Sequence, residues 1–265
     1  MGTSSSVDAF RVESQGLSTI DQRARFLEVG PLPPDARLIV TIDGPAGTGK
    51  SSTARQLARR LGLAFLDTGA MYRAAALLAI DAKVPLADHA EIVRLASEAR
   101  IHFDWTRDPP AVIAAGVEVT SRIRSAEVTA VVSPISAIPA LRALLVKEQR
   151  RIGREHPRLV TEGRDQGSVV FPDADVKFYL DAAPDVRASR RADEIEGARG
   201  TPLSPAEREL ILRDIIDRDQ RDSSRADGPL TRPADAIFVD TSTLALPQVV
   251  DRLEREARAR ITTFG

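Results

Sequence analysis

Short apolar runs alternate with amphipathic stretches along most of this chain. The run at 38–42 reads L-I-V-T-I, and similar runs of strand length occur at 158–161, 176–180 and 236–240. Helical spacing of apolar residues predicts helices at 52–61, 71–80, 90–100, 125–132, 139–154, 184–196, 205–223 and 246–261. Strands that alternate with helices predict an α/β fold with a central parallel sheet covered on both faces.

Two segments depart from this pattern. Residues 101–119 show strand-type alternation broken by Pro and Gly, which predicts a small strand insertion between helices. Residues 1–36 begin Ser-rich and end in a Pro-rich stretch, so we expect a mobile tail with at most a short helix at 17–29 and a stiff linker at 31–34. The opening residues also fit a myristoylation pattern, but a plain tail is favoured because that pattern is short.

Composition narrows the class of protein. The 265 residues are 43% hydrophobic, enough for one α/β domain with insertions or two small domains. No apolar stretch reaches membrane-spanning length, no signal pattern opens the chain, and there is no cysteine, so we expect a cytoplasmic protein without disulfides. The net charge of -1 favours neither nucleic acid nor membrane as a partner. His89, His102 and His156 lack metal-ligand spacing.

The most informative motif directly follows the first predicted strand. Residues 44–51 read G-P-A-G-T-G-K-S, a full match to the phosphate-binding P-loop, and a predicted helix follows. In such a loop the backbone N–H groups surround a phosphate chain, Lys50 reaches the terminal phosphates and Ser51 ligates Mg²⁺. The predicted ATP-binding residues are Gly44, Pro45, Ala46, Gly47, Thr48, Gly49, Lys50, Ser51 and Ser52.

Absent motifs exclude several classes of P-loop protein. The chain has no asparagine, so the Asn-Lys-x-Asp guanine reader of GTPases is missing. It carries no transporter signature, and none of its apolar strands runs into the Asp-Glu pair of a helicase box. A kinase that transfers a phosphoryl group to a small anionic acceptor remains. Such an enzyme needs an acceptor site, arginines that stabilise the transferred group, and a closing lid.

Four motifs in order carry a family resemblance. They are the P-loop, D-T-G-A-M-Y-R from Asp67, E-G-R-D-Q-G-S-V-V-F-P-D-A from Glu162, and R-D-Q-R-D-S-S-R from Arg218. Together they resemble bacterial cytidylate kinases, from about Leu38 to the C-terminus. The resemblance implies a P-loop kinase core at 37–72 and 158–265 with a lid near 187–203, and an acceptor-binding insertion at 73–157.

The resemblance also implies how the acceptor base is recognised. Cytosine presents an N4 amine and two ring acceptors, so Asp165 would accept from N4, Arg142 would donate to the ring, and Ser133 would complete that edge. Uracil would place an oxygen against the Asp165 carboxylate, which predicts discrimination against UMP.

Further roles follow from the same resemblance. Thr68 and Arg73 would hold the acceptor phosphate, as would Arg164 and Arg225, while Arg218 and Asp222 would contact the ribose. The spacing of Arg218, Asp222 and Arg225 predicts one helical face. Arg187, Arg190 and Arg191 precede the loop at 197–202, which we take as part of the lid, and with Lys50 they are the remaining catalytic candidates. Ser51 and Glu162 are the predicted Mg²⁺ residues.

The sequence therefore predicts a kinase that transfers the ATP γ-phosphoryl group to CMP or dCMP. ATP and the monophosphate are its expected small-molecule partners, Mg²⁺ is its expected metal, and we expect a monomer. Two alternatives stay open at this point: a related kinase acting on UMP or another acceptor, and a nucleotide-binding module without turnover.

Overall fold

The computed structural model describes residues 37–261. The predicted tail at 1–36, with its helix, linker and acylation pattern, lies outside the described residues.

Eight strands and eight α-helices make up the described part of the chain. The strands are β1 Leu38–Asp43, β2 Ala64–Asp67, β3 His102–Asp104, β4 Ala111–Ala114, β5 Val117–Glu118, β6 Arg158–Glu162, β7 Val176–Asp181 and β8 Ile237–Asp240. The α-helices are α1 Lys50–Leu61, α2 Thr68–Asp81, α3 His89–Glu98, α4 Ala126–Ser136, α5 Pro139–Glu155, α6 Pro184–Arg199, α7 Pro205–Ser223 and α8 Leu246–Ile261. A 3₁₀ turn, Arg122–Arg124, and a π-helical turn, Gln166–Val170, complete the set.

Five of the strands form the predicted parallel sheet, in the order β2-β6-β1-β7-β8. All six residues of β1 are buried. Because successive side chains of a strand point to opposite faces, this burial means that both faces of the sheet are covered. The α/β fold class predicted from the alternating pattern is confirmed.

Every strand of this sheet ends in an acidic residue. The carboxyl ends of parallel strands lie at one edge, so the five carboxylates gather there. They are Asp43, Asp67, Glu162, Asp181 and Asp240. This edge also carries the P-loop and the turn after β6, and it is where open α/β sheets bind ligands.

The predicted strand insertion is a three-stranded antiparallel sheet, β3-β4-β5. One apolar cluster runs from the main sheet into the helices around this insertion, and it includes Leu159 of β6, Met71 of α2 and Leu141 of α5. All three side chains are fully buried, and burial of each contributes about 1.5–3 kcal/mol to folding. The helices that frame the acceptor side therefore share a continuous core with the sheet.

Helices α6 and α4 extend beyond their predicted ends, and Arg225 lies past the end of α7, which ends where the sequence predicts. Helix α6 continues to Arg199 and is capped by Gly200 in the left-handed conformation, so only the end of the predicted 197–202 loop is irregular. Helix α7 ends at Ser223, so Arg225 follows the helix and does not lie on its face. Helix α4 includes Pro134 in its last turns and therefore extends beyond the predicted end at Val132.

Within residues 37–261 no single helix has the length and apolar composition needed to cross a bilayer. The pair α4 and α5 meets that test only when joined, and the two helices meet at a bend of 98°.

Candidate active site

The P-loop connects β1 to α1 in a conformation that requires glycine. Gly44 has a φ of 146°, and a Cβ there would lie 1.9 Å from the carbonyl oxygen of Leu180 on β7. Gly47 and Gly49 also have positive φ angles, of 79° and 84°. L-residues with side chains are strained in this region, so the loop shape depends on these glycines.

Lys50 lies buried beneath the loop. Its Nζ donates to the backbone oxygen of Pro45 at 2.6 Å. Burial, together with the charge of the nearby Arg164, lowers the pKa of Lys50 to about 7. A phosphate group close to Nζ would favour the charged form, so this lysine is suited to binding an anion.

A hydroxyl and two carboxylates lie beside the start of α1. Ser51 Oγ donates to Glu162 Oε1 at 2.7 Å, and burial together with Asp67 raises the pKa of Glu162. These hard oxygen donors suit Mg²⁺, which takes one or two protein ligands and completes its shell with phosphate oxygens and water. No group of three or more acidic, His or Cys residues that could hold a metal occurs in the described chain. The Ser51 and Glu162 pair therefore fits a Mg²⁺ that arrives with a nucleotide.

A buried ion pair occupies the predicted base pocket. Arg142 of α5 and Asp165 after β6 are hydrogen-bonded to each other, with 2% and 6% of their side chains exposed. Arg142 Nε also lies 3.4 Å from Asp227 Oδ2. The buried Ser133 Oγ has no hydrogen-bond partner among the described residues. An unpaired buried hydroxyl costs free energy unless a ligand satisfies it, so Ser133 is consistent with a polar ligand edge.

A second network joins the turn after β6 to the C-terminal end of α7 and the residues just beyond it. Arg164 Nε donates to Asp222 Oδ2 at 2.8 Å, and Arg225 donates to the other oxygen of the same carboxylate. Burial would raise the pKa of Asp222, but the two arginines outweigh it and lower the pKa. Arg225 also donates to Ser136 Oγ at 3.0 Å, which links the network to α4.

Cationic charge exceeds anionic charge around this network. Arg218 is half-buried, its Nε is enclosed without a hydrogen-bond partner in the described part of the chain, and burial together with Arg164 lowers its pKa to about 10. Arg73 donates to Thr129 Oγ1 at 3.0 Å and to the oxygen of Ile123 at 3.3 Å, and burial lowers its pKa as well. Such depressed pKa values mean that a dianionic phosphate would relieve the repulsion among these groups.

The three arginines of α6 that the sequence marks as catalytic candidates, Arg187, Arg190 and Arg191, differ in their surroundings. Arg187 is buried, donates to the oxygen of Ala46 in the P-loop at 3.1 Å and pairs with Asp219 at 2.6 Å. Arg190 donates to the backbone oxygen of Thr241, the residue that directly follows β8, at 2.5 Å. Arg191 is half exposed and pairs only with Glu194 among the contacts found in 37–261.

Of these three arginines, Arg191 is the one whose charge acts on Arg73 of the predicted phosphate site. Its charge lowers the pKa of Arg73, which places it near the predicted phosphate site. The prediction has some of these three arginines swing over the triphosphate and leaves open which of them does so. Arg187 is buried and donates to the P-loop oxygen of Ala46. Helix packing fixes Arg187 because α6 packs against α7.

The remaining predicted residue has a structural contact. Thr68 Oγ1 donates to the backbone oxygen of Glu162 at 2.7 Å and is buried at the start of α2. Its hydroxyl therefore joins β2 to β6, in addition to any role toward a ligand.

Three buried polar residues near the site, Asp43, Gln149 and Gln166, were assigned no role from the sequence. Asp43 accepts from the backbone N–H groups of Gln166 and Gly167. The side-chain amide of Gln166 in turn donates to Gln149 Oε1 at 3.1 Å and to Asp165 Oδ1 at 3.4 Å. Asp43 could have been found from the sequence, because it is a single acidic residue at the end of an otherwise apolar strand. Nothing local marked Gln149, which is one of several polar residues on a charged helix.

Comparisons with known proteins show what the chain is similar to. A family model described as cytidylate kinase matches residues 40–259. A cytidylate kinase from Rhodococcus opacus is 47% identical over 221 residues, covering 82% of this chain and 93% of that protein. One from Nocardia farcinica is 44% identical over 230 residues, covering 86% and 97%. A solved shikimate kinase from Bacteroides thetaiotaomicron aligns over 83% of this chain and 98% of its own, at 14% identity and a TM-score of 0.40.

Proposed function

The chain belongs to the cytidylate kinase family, and from this premise we propose that it transfers the γ-phosphoryl group of ATP to CMP or dCMP. The products are ADP and CDP or dCDP. The observation that carries the proposal within the molecule is the buried Arg142 and Asp165 pair, which lies with the unpartnered Ser133 hydroxyl on the acceptor side of the P-loop sheet.

ATP would bind along the P-loop. Its phosphates would meet backbone N–H groups of residues 44–52 and the positive end of α1, and Lys50 would exchange its contact with Pro45 for the β- and γ-phosphates. Backbone donors hold the phosphates without reading the base. Arg190, which binds the Thr241 turn, lies on this side of the site.

Cytosine would be read by the ion pair. The Asp165 carboxylate accepts from the N4 amine, Arg142 donates to the ring acceptors, and Ser133 supplies the hydroxyl that has no other partner. UMP would set its O4 against the carboxylate and leave a buried charge without a donor. The kcat/KM for UMP would therefore be lower than that for CMP. Ribose contacts fall to Arg218 and Asp222 in this proposal.

The reaction itself needs positioning and charge neutralisation. An oxygen of the acceptor phosphate attacks the γ-phosphorus, and the bond from that phosphorus to the bridging oxygen of ADP breaks. Arg73, Arg164 and Arg225 hold the acceptor phosphate in line, with Thr68 at the edge of that site. Arg191 and Lys50 stabilise the charge on the transferred group. Because the acceptor is already an anion, no side chain has to remove a proton from it.

Mg²⁺ is the expected metal in this scheme. It would be held by Ser51 and Glu162 together with the ATP phosphates, and it supplies neutralisation of phosphate charge. We further propose a cytoplasmic monomer, with the two nucleotides as its only required partners.

Initial rates with three acceptors test the proposal. A coupled assay of ADP release, run with CMP, dCMP and UMP at saturating ATP and Mg²⁺, should give turnover with CMP and dCMP and a kcat/KM for UMP lower by about 10²-fold or more. Preference for UMP would show a sister kinase instead. ATP binding without acceptor-dependent ADP release would show a nucleotide-binding module.

A further inference from the structure

Asp43 occupies an unusual position between the two halves of the site. It is the last residue of β1, directly before Gly44 of the P-loop, and only 1% of its surface is exposed. Its Oδ1 accepts from the backbone N–H of Gln166 at 2.8 Å, and its Oδ2 accepts from the N–H of Gly167 at 2.7 Å. One carboxylate therefore uses both oxygens to join the base of the P-loop to the turn after β6.

That turn carries the residues assigned to the acceptor. Arg164 and Asp165 lie in it, immediately before the two amides that Asp43 binds. Gln166 also contacts Asp165 Oδ1 through its side chain, so a shift of its backbone would move the carboxylate that faces the base. The position of Asp165 relative to the P-loop thus depends on the Asp43 contacts.

Two of the hydrogen bonds that join the turn to β1 are made by Asp43. Strand β1 pairs along its length with β6 on one side and β7 on the other, so Asp43 is held in place. The turn leaves the sheet at Glu162, where one further backbone bond, from Gly163 N–H to the oxygen of Ile42 at 3.1 Å, ties it to β1. Loss of the carboxylate contacts would therefore remove two of the hydrogen bonds that position the turn against β1 and would leave the P-loop strand in place.

The geometry requires a group that only accepts hydrogen bonds. Two adjacent backbone N–H groups point at the two oxygens, and an asparagine would offer an N–H₂ to one of them and lose that bond. The carboxylate is retained even though burial raises the pKa of Asp43 to about 7, with the two amides acting in the opposite direction. Lys50, Asp165 and Tyr179 are the charged or titratable groups whose charges interact with it.

We propose that Asp43 is a positioning residue that sets the distance between the donor and acceptor sites by fixing the turn with Arg164 and Asp165 against the P-loop strand. The proposal rests on the proposed function, because it assigns Asp43 to the alignment of the two nucleotides. Asp43 touches neither nucleotide. Its effect reaches the reaction through the acceptor groups.

The test is Asp43→Asn in the full chain, assayed for kcat and for the KM of each substrate. We expect KM for CMP to rise about tenfold and kcat to fall by about 10–100-fold, since misplacement by about 1 Å can cost 10²-fold in rate. The ratio of kcat/KM for CMP to that for UMP should fall about tenfold, and KM for ATP should change less than about threefold. This ratio does not depend on the folded fraction, so partial unfolding does not obscure it.

Asp175→Asn is the matched control. Asp175 Oδ2 accepts from the backbone N–H of Ile39 at 2.7 Å, at the opposite end of the same strand. Its loss should lower the melting temperature without changing either KM or the CMP to UMP ratio. A second variant, Gly167→Ala, perturbs the contact from the other side, because its Cβ would lie 2.9 Å from Thr41 Oγ1 and would push the Gly167 N–H away from Asp43. It should reproduce the pattern of Asp43→Asn and serves if that variant does not fold.

Two results would overturn the inference. One is an unchanged KM for CMP and an unchanged CMP to UMP ratio in Asp43→Asn and Gly167→Ala. The other is a rise in KM for ATP with no change for CMP, which would place Asp43 on the donor side. Failure of wild-type protein to phosphorylate CMP would instead contradict the proposed function, so the two failures are distinguishable.

Discussion

The donor and acceptor sides of the cleft are built in different ways. The donor side is one continuous stretch of nine residues whose backbone presents the contacts, shaped by glycines at positive φ. The proposed acceptor side takes its side chains from distant parts of the sequence, and several of them, such as Arg142 with Asp165 and Arg164 with Asp222, are paired with one another. These side chains are Thr68, Arg73, Ser133, Arg142, Arg164, Asp165, Arg218, Asp222 and Arg225.

This difference separates general from selective recognition. Backbone N–H groups bind a phosphate chain whatever base it carries, and few substitutions remove them. The acceptor side depends on buried charges such as Arg142 and Asp165, and removal of one partner leaves the other uncompensated in the interior. Substitutions on the acceptor side should therefore affect selectivity, whereas those near the triphosphate should affect rate or metal dependence alone.

Asp165→Ala should have the largest effect. It removes the carboxylate proposed to accept from N4 and leaves the buried Arg142 without that ion-pair partner. We therefore expect kcat/KM for CMP to fall about 10²–10³-fold and that for UMP to fall far less. Asp173→Ala, which removes an exposed carboxylate paired with Arg37, is the control and should leave both unchanged. Steady-state rates with both acceptors give the measurement. Equal losses for CMP and UMP would remove Asp165 from base recognition.

Arg191→Ala tests which arginine of α6 stabilises the transferred group. We expect kcat to fall about 100-fold with no change in melting temperature, because the side chain is half exposed and its ion pair within residues 37–261 is with the exposed Glu194. Arg199→Ala removes another exposed arginine of the same helix, paired with Glu207, and should have no effect on kcat. If both variants behave alike, Arg191 does not act on the phosphoryl group.

Glu162→Gln tests the metal site at the sheet edge. The amide is a poorer partner for Ser51 and for Mg²⁺, so the Mg²⁺ concentration for half-maximal rate should rise about tenfold while the CMP to UMP ratio stays constant. Asp181→Asn changes another carboxylate that ends a strand at the same edge and should not alter the Mg²⁺ requirement. A Mg²⁺ titration of the rate that matches wild type would exclude Glu162 from the site.

Ser133→Ala should have the smallest effect. Its hydroxyl has no partner in the described structure, so the melting temperature should not fall, and KM for CMP should rise about fivefold, the equivalent of about 1 kcal/mol for one neutral hydrogen bond. Ser136→Ala is the contrast, because that hydroxyl donates to Ser133 and accepts from Arg225, and its loss should destabilise the protein. An unchanged KM in Ser133→Ala would mean that the base does not reach this hydroxyl.

Sequence reasoning succeeded where the signal was local. The P-loop, the strand insertion and the parallel sheet follow from short motifs and from periodicity, and helices α7 and α8 agree residue by residue with the predicted 205–223 and 246–261. The end of α6 was missed because charged residues continue the helix to Arg199, and only the left-handed Gly200 ends it.

Packing between distant segments was beyond the reach of the sequence. The pattern of spacing suggested that Arg225 shares a helical face with Arg218, but α7 ends before it, and the contact with Asp222 that brings Arg225 into the cleft is made from the following turn. Likewise, no local feature distinguishes Arg187, tied to the P-loop, from Arg191, which faces outward. Tertiary contacts decide both outcomes.

The order of the strands has a consequence for biosynthesis. β1 forms the centre of the sheet, but its neighbours are β6 and β7, and β1 ends at Asp43 whereas β6 starts only at Arg158. During translation the chain therefore emerges with an apolar strand that has no pairing partner until more than half of the polypeptide has left the ribosome. Strands that pair over such separations fold slowly and stay exposed to aggregation meanwhile. Nascent chains truncated before Arg158 should accordingly depend on chaperones, although they already contain the whole P-loop.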